Sequence, residues 1–290
     1  MKSSGVPRYF CRRCNKTFVV TVPNPELKHL TQHLKIHSDS IVVTGDVHLP
    51  FHCPDTLAKM IEFAGYFGSR DIVIVGDLME LDVFKRFLDI HPDIKRAGGW
   101  EYEKQKTREF FELIDQYFDR VYILLGNHEL RMWKKLQAAG SQTDVLEIVL
   151  SDKWEEKVKV SVYPFAWIND SWIVVHPKSY SRIQSRNPYF LASKYLIELV
   201  ARGKSPNGVY GLIDFHSHLG GEGTDISGKF QVANGMGLFD PKLSEWHVKQ
   251  VDTFPEWRKG FMILHRNYLY RFPAEHTDWD FWRGLFRGKV

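Results

Sequence analysis

The chain has 290 residues, 43% of them apolar and 26% charged, which suits one large globular domain with an appendage. Its net charge of +4 is uneven: residues 1–40 carry seven Lys/Arg against two Asp/Glu, residues 256–290 carry seven against four, and the middle carries 25 against 29. There is no run of about 18 apolar residues and no apolar leader, and three cysteines are too few for a disulfide framework, so no membrane span or scaffold of bridges is expected, and a reducing, cytoplasmic setting is.

Near the N-terminus Cys11 and Cys14 are spaced as a metal pair, and His33 and His37 stand four apart in a stretch whose spacing predicts a helix. Residues i and i+4 share one helical face, so both imidazoles can reach one ion. Phe18 and Leu30 would supply a small apolar core. At both ends this segment resembles a Cys2His2 zinc finger. Eighteen residues separate Cys14 from His33, where about twelve is usual, which predicts a longer loop over 19–25. His29 is a rival ligand that the spacing disfavours. The resemblance implies one structural Zn2+ held by Cys11, Cys14, His33 and His37, in a module over residues 1–38 too short to hold together without metal. Its cations Arg12, Arg13, Lys16, Lys28 and Lys35 are candidate phosphate contacts, so nucleic acid is the expected partner. The sequence implies no membrane partner and no particular protein partner.

From residue 39 onward, five apolar runs each end on an oxygen or nitrogen ligand. Ile41–Thr44 leads into Gly45-Asp46-Val47-His48, and Ile72–Val75 into Gly76-Asp77. Val121–Leu125 leads into Gly126-Asn127-His128-Glu129, Trp172–Val175 into His176, and Leu212–Phe215 into His216-Ser217-His218. Such β-branched, apolar runs predict strands, and a strand end presents its ligands from a rigid edge. Between them, Leu57, Met60, Ile61, Ala64 and Phe67 have helical spacing, as do Phe110, Phe111, Ile114, Tyr117 and Phe118. Helices are therefore expected over 55–67 and 101–118, with a glycine-bearing loop at 96–100. Further helices are expected over 130–139, 143–150 and 188–201. Val158, Val160 and Val162 alternate as a strand. Short strands follow residue 210, and those near 262–264 and 268–272 are expected to complete the second sheet. The Trp/Phe-rich tail 274–290 is expected to pack back on this 39–290 domain. The reading is a mixed α/β fold with ligands at strand ends.

In this order the five blocks resemble the calcineurin-like metallophosphoesterases, whose pattern is Asp-x-His, Gly-Asp, Gly-Asn-His-Glu/Asp, a lone His, and Gly-His-x-His, over roughly residues 40–270. Two departures leave the ligands intact. Phe215 stands where the family usually has glycine, and Leu49-Pro50 follows His48 in place of glycine. That second departure, with the absence of Asp-Arg-Gly after Asp77, argues against the Ser/Thr protein phosphatase branch, and the runs at 76–87 and 126–131 look most like phage-type members.

The resemblance implies a four-layered αββα sandwich and two divalent ions (Mn2+, Fe, Ni2+ or Zn2+). Asp46, His48, Asp77 and His218 would hold the first, and Asp77, Asn127, His176 and His216 the second, with Asp77 shared and a bridging hydroxide as nucleophile. His128 is the candidate to protonate the leaving oxygen or stabilise the pentavalent state, with Glu129 orienting it. Arg131 is within reach of a substrate phosphate. Glu80 and Asp82 are expected to hydrogen-bond in the site without ligating. His52, His91 and His247 are read as surface or core residues, and Cys53 as an inert small one.

The implied activity is hydrolysis of phosphate esters, and the basic N-terminus points to a phosphodiesterase or nuclease acting on nucleic acid. The alternatives are a phosphomonoesterase or cyclic-nucleotide diesterase whose finger is structural or protein-binding, and, from another class, a non-catalytic zinc-finger binding protein. The presence of every implied ligand counts against the last.

Overall fold

A computed structural model of the chain describes residues 8–11, 16–19, 33–84, 91–136, 156–161, 163–176, 210–215, 221–224, 230–244 and 257–287. The chain divides into two compact units, Met1–Gln32 and His33–Val290. In the first, β1 (Arg8–Cys11) and β2 (Lys16–Val19) form an antiparallel hairpin with Arg8 opposite Val19 and Cys11 opposite Lys16. Cys14, His29 and Leu30 lie outside the described residues.

The second unit holds two six-stranded sheets among the described residues. One contains β4 (Ser40–Gly45), β5 (Asp71–Val75), β6 (Arg120–Leu124) and β7 (Val158–Ser161), all parallel. Beyond β4, β13 (Gly260–His265) and β14 (Tyr268–Pro273) extend it antiparallel. The other sheet runs, edge to edge, through β11 (Glu222–Thr224), β12 (Gln231–Asn234), β10 (Gly211–Asp214), β9 (Trp172–Val175), β8 (Phe165–Ile168) and β3 (Leu34–Ile36).

Strand alternation builds the layers. In the first sheet Ile41, Val43, Val73, Val75, Tyr122 and Leu124 enter one buried cluster with Ile168, Trp172, Val174 and Ile213 of the second, so the sheets pack face to face. The intervening residues Val42, Ile72, Ile74, Val121 and Ile123 face the other way. There they meet α1 (Pro54–Phe67) through Leu57, Met60 and Phe63, and, beyond the short α2 (Pro92–Arg96), α3 (Trp100–Tyr117) through Phe110, Phe111 and Ile114. Proline in the first turn of α1 and a left-handed Gly68 after its end set its limits. The fourth helix, α4 (Asn127–Leu136), begins at a candidate ligand. The expected helices over 143–150 and 188–201 lie outside the described residues.

Helix α5 (Trp279–Arg287) sets Trp279 against Phe63, Phe261 and Phe272, and Arg283 forks onto Glu62 of α1 at 2.6 and 2.8 Å.

Three expectations change. Residues 34–36 are a strand, not a helix, because Ile36 is buried between the sheets and Leu34–Ile36 pairs in parallel with Ala166–Ile168. Burial outweighs the weak helical preference of a polar, histidine-rich stretch. On extended chain, positions i and i+4 are about 13 Å apart, so the zinc set of Cys11, Cys14, His33 and His37 loses its shared helical face. His33 instead stacks on Phe165, with ring centroids 5.4 Å apart. For the same reason the break between units falls after residue 32, not after 38. Finally, β13 and β14 extend the first sheet, not the second, because β13 pairs with β4; their apolar alternation marks them as strands without naming a neighbour.

Candidate metal centre

The ends of β4 and β5 feed two loops that run side by side. The Asp46 N–H donates to Gly76 C=O (3.0 Å), and the Asp77 carbonyl accepts from both Val47 and His48 N–H (2.9 Å each). Holding this close pairing puts Asp46, His48 and Asp77 at φ 40°, 50° and 45°, a region costly for side chains of this kind. Two glycines make room for the ligands. A Cβ at Gly76, itself at φ 73°, would fall on the His176 ring, and one at Gly126 would fall on the Asp77 carboxylate.

Asp46, Asp77 and His176 present ligand atoms within 4.8 Å of one another, and all three are buried. His176 Nε2 lies 3.2 Å from Asp46 Oδ1 and 3.3 Å from Asp77 Oδ2. His48, Glu80 and His128 form a second buried group of the same tightness. His48 Nδ1–H donates to Glu80 Oε2 (2.7 Å), and His128 Nδ1–H donates to the Glu80 carbonyl (2.8 Å). These groups do not divide the residues as the resemblance does, since His48 lies with Glu80 and His128. The Glu80 bond to Nδ1 nonetheless leaves Nε2 as the ligating nitrogen of His48, the usual carboxylate–histidine–metal arrangement. Asn127 opens α4 and its Oδ1 is buried, with no hydrogen-bond donor among the described residues. His216 and His218 lie outside the described residues.

The charges form one system. Burial disfavours ionised Asp77, but the imidazoles of His128, His176 and His48 outweigh it and hold the carboxyl well below the ordinary carboxylate range. Burial would lower His176, yet Asp77 and Asp46 carry it well above the ordinary histidine value. His48 is likewise raised, burial being overcome by Glu80 and then Asp77 and Asp46. His128 goes the other way: burial, against Asp77 and Glu80, pushes it down to about 3. Its ring is therefore neutral, with the proton on Nδ1 and Nε2 facing Asp77 Oδ2 at 3.7 Å.

Glu129 does something other than orient His128. Its fully buried carboxylate accepts backbone N–H bonds from Gly126 (2.9 Å), Met79 (3.0 Å) and Asp77 (3.2 Å), tying the loop after β5 to the loop after β6. Burial, then the Asp77 charge, pushes this carboxyl up to about 7. The sequence offered one signal for Glu80 and Glu129, namely carboxylates set close to apolar strand ends, but not what each would hold. Asp82 accepts from the His91 N–H (2.8 Å) and belongs to neither group among the described residues. His91 and Cys53 are buried.

The donor set fits divalent cations. Asp46, Asp77, Glu80 and Glu129 are all buried at one edge, an accumulation of anions that is costly without compensating positive charge. An unpartnered amide oxygen aimed from Asn127 adds a neutral oxygen ligand of the kind such ions take. One turn beyond Asn127 on α4, Arg131 has a buried Nη1 without a hydrogen-bond acceptor among the described residues.

The family model described as calcineurin-like phosphoesterase matches residues 40–238. No curated protein matches the chain in sequence. Among solved structures, an archaeal phosphodiesterase is similar at 12% identity and TM-score 0.41, over 81% of this chain and 99% of its own. A dimetal phosphatase from Danio rerio is similar at 10% identity and TM-score 0.41, over 81% and 96%. A single mutant of Vps29 from Entamoeba histolytica is similar at 13% identity and TM-score 0.36, over 82% and 93%.

Proposed function

The chain belongs to the calcineurin-like phosphoesterase family and is a metal-dependent phosphoester hydrolase, and from that premise we propose that it cleaves phosphodiesters, with nucleic acid as the substrate class. The observation that carries the reading is the buried Asp46–Asp77–His176 group beside the unpartnered Asn127 Oδ1. Two divalent ions held there, with His48, His216 and His218 completing the set, would supply Lewis acidity and an activated water. Glu129 fixes the amides on which Asp77 and Asn127 depend. Arg131, one turn from Asn127, takes a non-bridging phosphate oxygen with its guanidinium, whose Nη1 is buried without an acceptor among the described residues.

His128 serves the leaving oxygen. Its Nδ1–H is committed to the Glu80 carbonyl, so a proton for transfer must sit on Nε2. Burial keeps that position bare at rest, and the negative charge of a bound phosphoryl group favours its protonation. A diester on nucleic acid, as against a small monoester, is supported by the excess of cations in residues 1–40.

The test is a panel: purified protein with Mn2+, offered a chromogenic diester, the matching monoester, single- and double-stranded DNA, and RNA. Turnover of the diester and at least one nucleic acid is expected. Turnover of the monoester alone would overturn the diester reading.

A further inference from the structure

At the strand ends opposite the metal centre the second unit has a cavity of about 310 Å3 whose lining includes Trp172, Tyr210, Gln231, Arg266, Asn267 and Tyr268. That volume is at the small end of ligand pockets. Trp172 opens β9 and Tyr210 precedes β10, whereas His176 follows the far end of β9. A four-residue strand spans about 13 Å, so this cavity is distinct from the hydrolytic site.

Its frame is rigid. Arg266 and Asn267, at φ 51° and 65°, form the two-residue turn between β13 and β14, a left-handed pair that suits a hairpin. The turn is pinned three times: Arg266 N–H to Asp39 C=O (2.7 Å), Trp172 Nε1–H to Asn267 C=O (3.2 Å), and Asn169 Nδ2–H to Asn267 Oδ1 (3.2 Å). The Tyr210 backbone is held on both sides, its N–H on Ser171 C=O (2.7 Å) and its C=O on Gln231 N–H (2.8 Å).

On this frame sit recognition groups with nothing to recognise. Tyr210 is 53% and Tyr268 72% exposed. Among the described residues neither ring meets another ring, and the Arg266 guanidinium has no ion pair. No carboxylate is among the described lining residues. A guanidinium without a compensating anion selects a negatively charged ligand, and two exposed aromatic rings with only two side-chain torsions each offer stacking area at low entropic cost.

We propose that this cavity binds one nucleotide unit of single-stranded nucleic acid, its base stacked against both Tyr268 and Tyr210 and its phosphate on Arg266. Aromatic platforms combined with a cation are how strands are held without sequence preference. The proposal deepens the phosphodiesterase reading by giving a long substrate a second point of contact, and it rests on that reading only for its biological use.

The test is equilibrium binding to the full chain loaded with Mn2+, read by anisotropy of a fluorescein-labelled phosphorothioate oligo(dA) of about 12 nucleotides, within the usual range of such sites. Tyr268→Ala and Tyr210→Ala should each weaken binding by roughly 5- to 150-fold, and Tyr268→Phe should restore most of it. Arg266→Ala should reduce the salt slope by about 0.7, one phosphate contact. Turnover of a small chromogenic diester should be unchanged in all four. Adenosine monophosphate should displace the strand where inorganic phosphate does not.

Wild-type affinity in the double variant Tyr210→Ala/Tyr268→Ala would overturn the proposal, and so would equal loss in Tyr268→Phe and Tyr268→Ala. If the variants lose binding but the wild type cleaves no nucleic acid, the binding site stands and the nucleic-acid substrate reading falls. If nucleic acid is cleaved and the variants bind normally, the reverse holds.

Discussion

Glu129 offers the sharpest test of how this centre is held. Its carboxylate accepts three buried N–H groups, those of Asp77, Met79 and Gly126. In Glu129→Gln the amide oxygen can turn toward the Asp77 and Gly126 donors, leaving an NH2 group against the Met79 N–H. One buried donor then loses its acceptor, a cost of about 1–3 kcal/mol. In Glu129→Ala all three are stranded, for about 3–9 kcal/mol, a large part of the roughly 5–15 kcal/mol that holds a domain together. The alanine variant should therefore cost about three times what the glutamine variant costs. Asp77 is itself one of the clamped residues, so metal affinity should fall by roughly 10- to 100-fold even in the better tolerated variant. Urea denaturation of metal-free full-length chain gives the first quantity, and calorimetric titration with Mn2+ the second. Equal stability losses in the two variants, or wild-type metal affinity in Glu129→Gln, would refute the clamp.

Asp77→Asn should abolish turnover and reduce bound metal to one equivalent or none, measured by elemental analysis; full activity would end the dimetal reading. His128→Ala should leave metal content nearly intact and cut turnover roughly 10²–10⁴-fold, with a smaller loss on a nitrophenolate than on an alkoxide leaving group; equal losses would leave His128 only an electrostatic part. Arg283 holds Glu62 below the ordinary carboxylate value of 4.5, so the docking of α5 is stabilised above that value and weakens as pH falls through the depressed one. Urea midpoints measured from about pH 6 to 3 should fall more steeply in the wild type than in Arg283→Ala; parallel curves would show that the pair contributes nothing.

The strands were legible because burial on both faces leaves near-continuous apolar runs, as in 41–44 and 72–75, and because each run stops at a ligand. Asp46, Asp77 and His176 could be assigned to one edge for that reason, and the structure brings them together. The sequence was less informative where a residue acts through backbone groups. Glu129 reads as a neighbour of His128, yet its partners are the Gly126 amide of its own loop and the Asp77 and Met79 amides of the loop after β5. Glu80 holds His48 and His128 from three residues past Asp77, a relation set by the turn at Leu81 (φ 52°), which no periodicity reports. The stretch around His33 misled because its spacing satisfied a helix while Ile36 satisfied the gap between two sheets, and tertiary burial prevailed. Phe215 looked like a departure from the family pattern at a glycine position. The structure shows where the room went: a Cβ at Gly45 or Gly235 would strike the Phe215 ring, so two neighbours are small where this one is large.

The reading of the chain as a binding protein with a silent hydrolase body can be weighed on energetic grounds. Asp46, His48 and Asp77 all sit at positive φ, each at a cost of order 1–3 kcal/mol. Asp46, Asp77, Glu80 and Glu129 are buried together, and Glu129 is pushed up to about 7 by burial and by Asp77. Neither feature supports the sandwich core, whose apolar clusters lie between the sheets and under the helices. Both are offset once cations occupy the edge, because bound metal stabilises the folded state by an amount that grows with the logarithm of its concentration relative to Kd. A chain that no longer bound metal would gain by losing the buried charge of Asp77, and substitutions that relieve the strain and charge at 46 and 77 would then be neutral or stabilising. Strain and buried charge, kept together at one edge with an unpartnered Asn127 oxygen between them, are what a site in use requires.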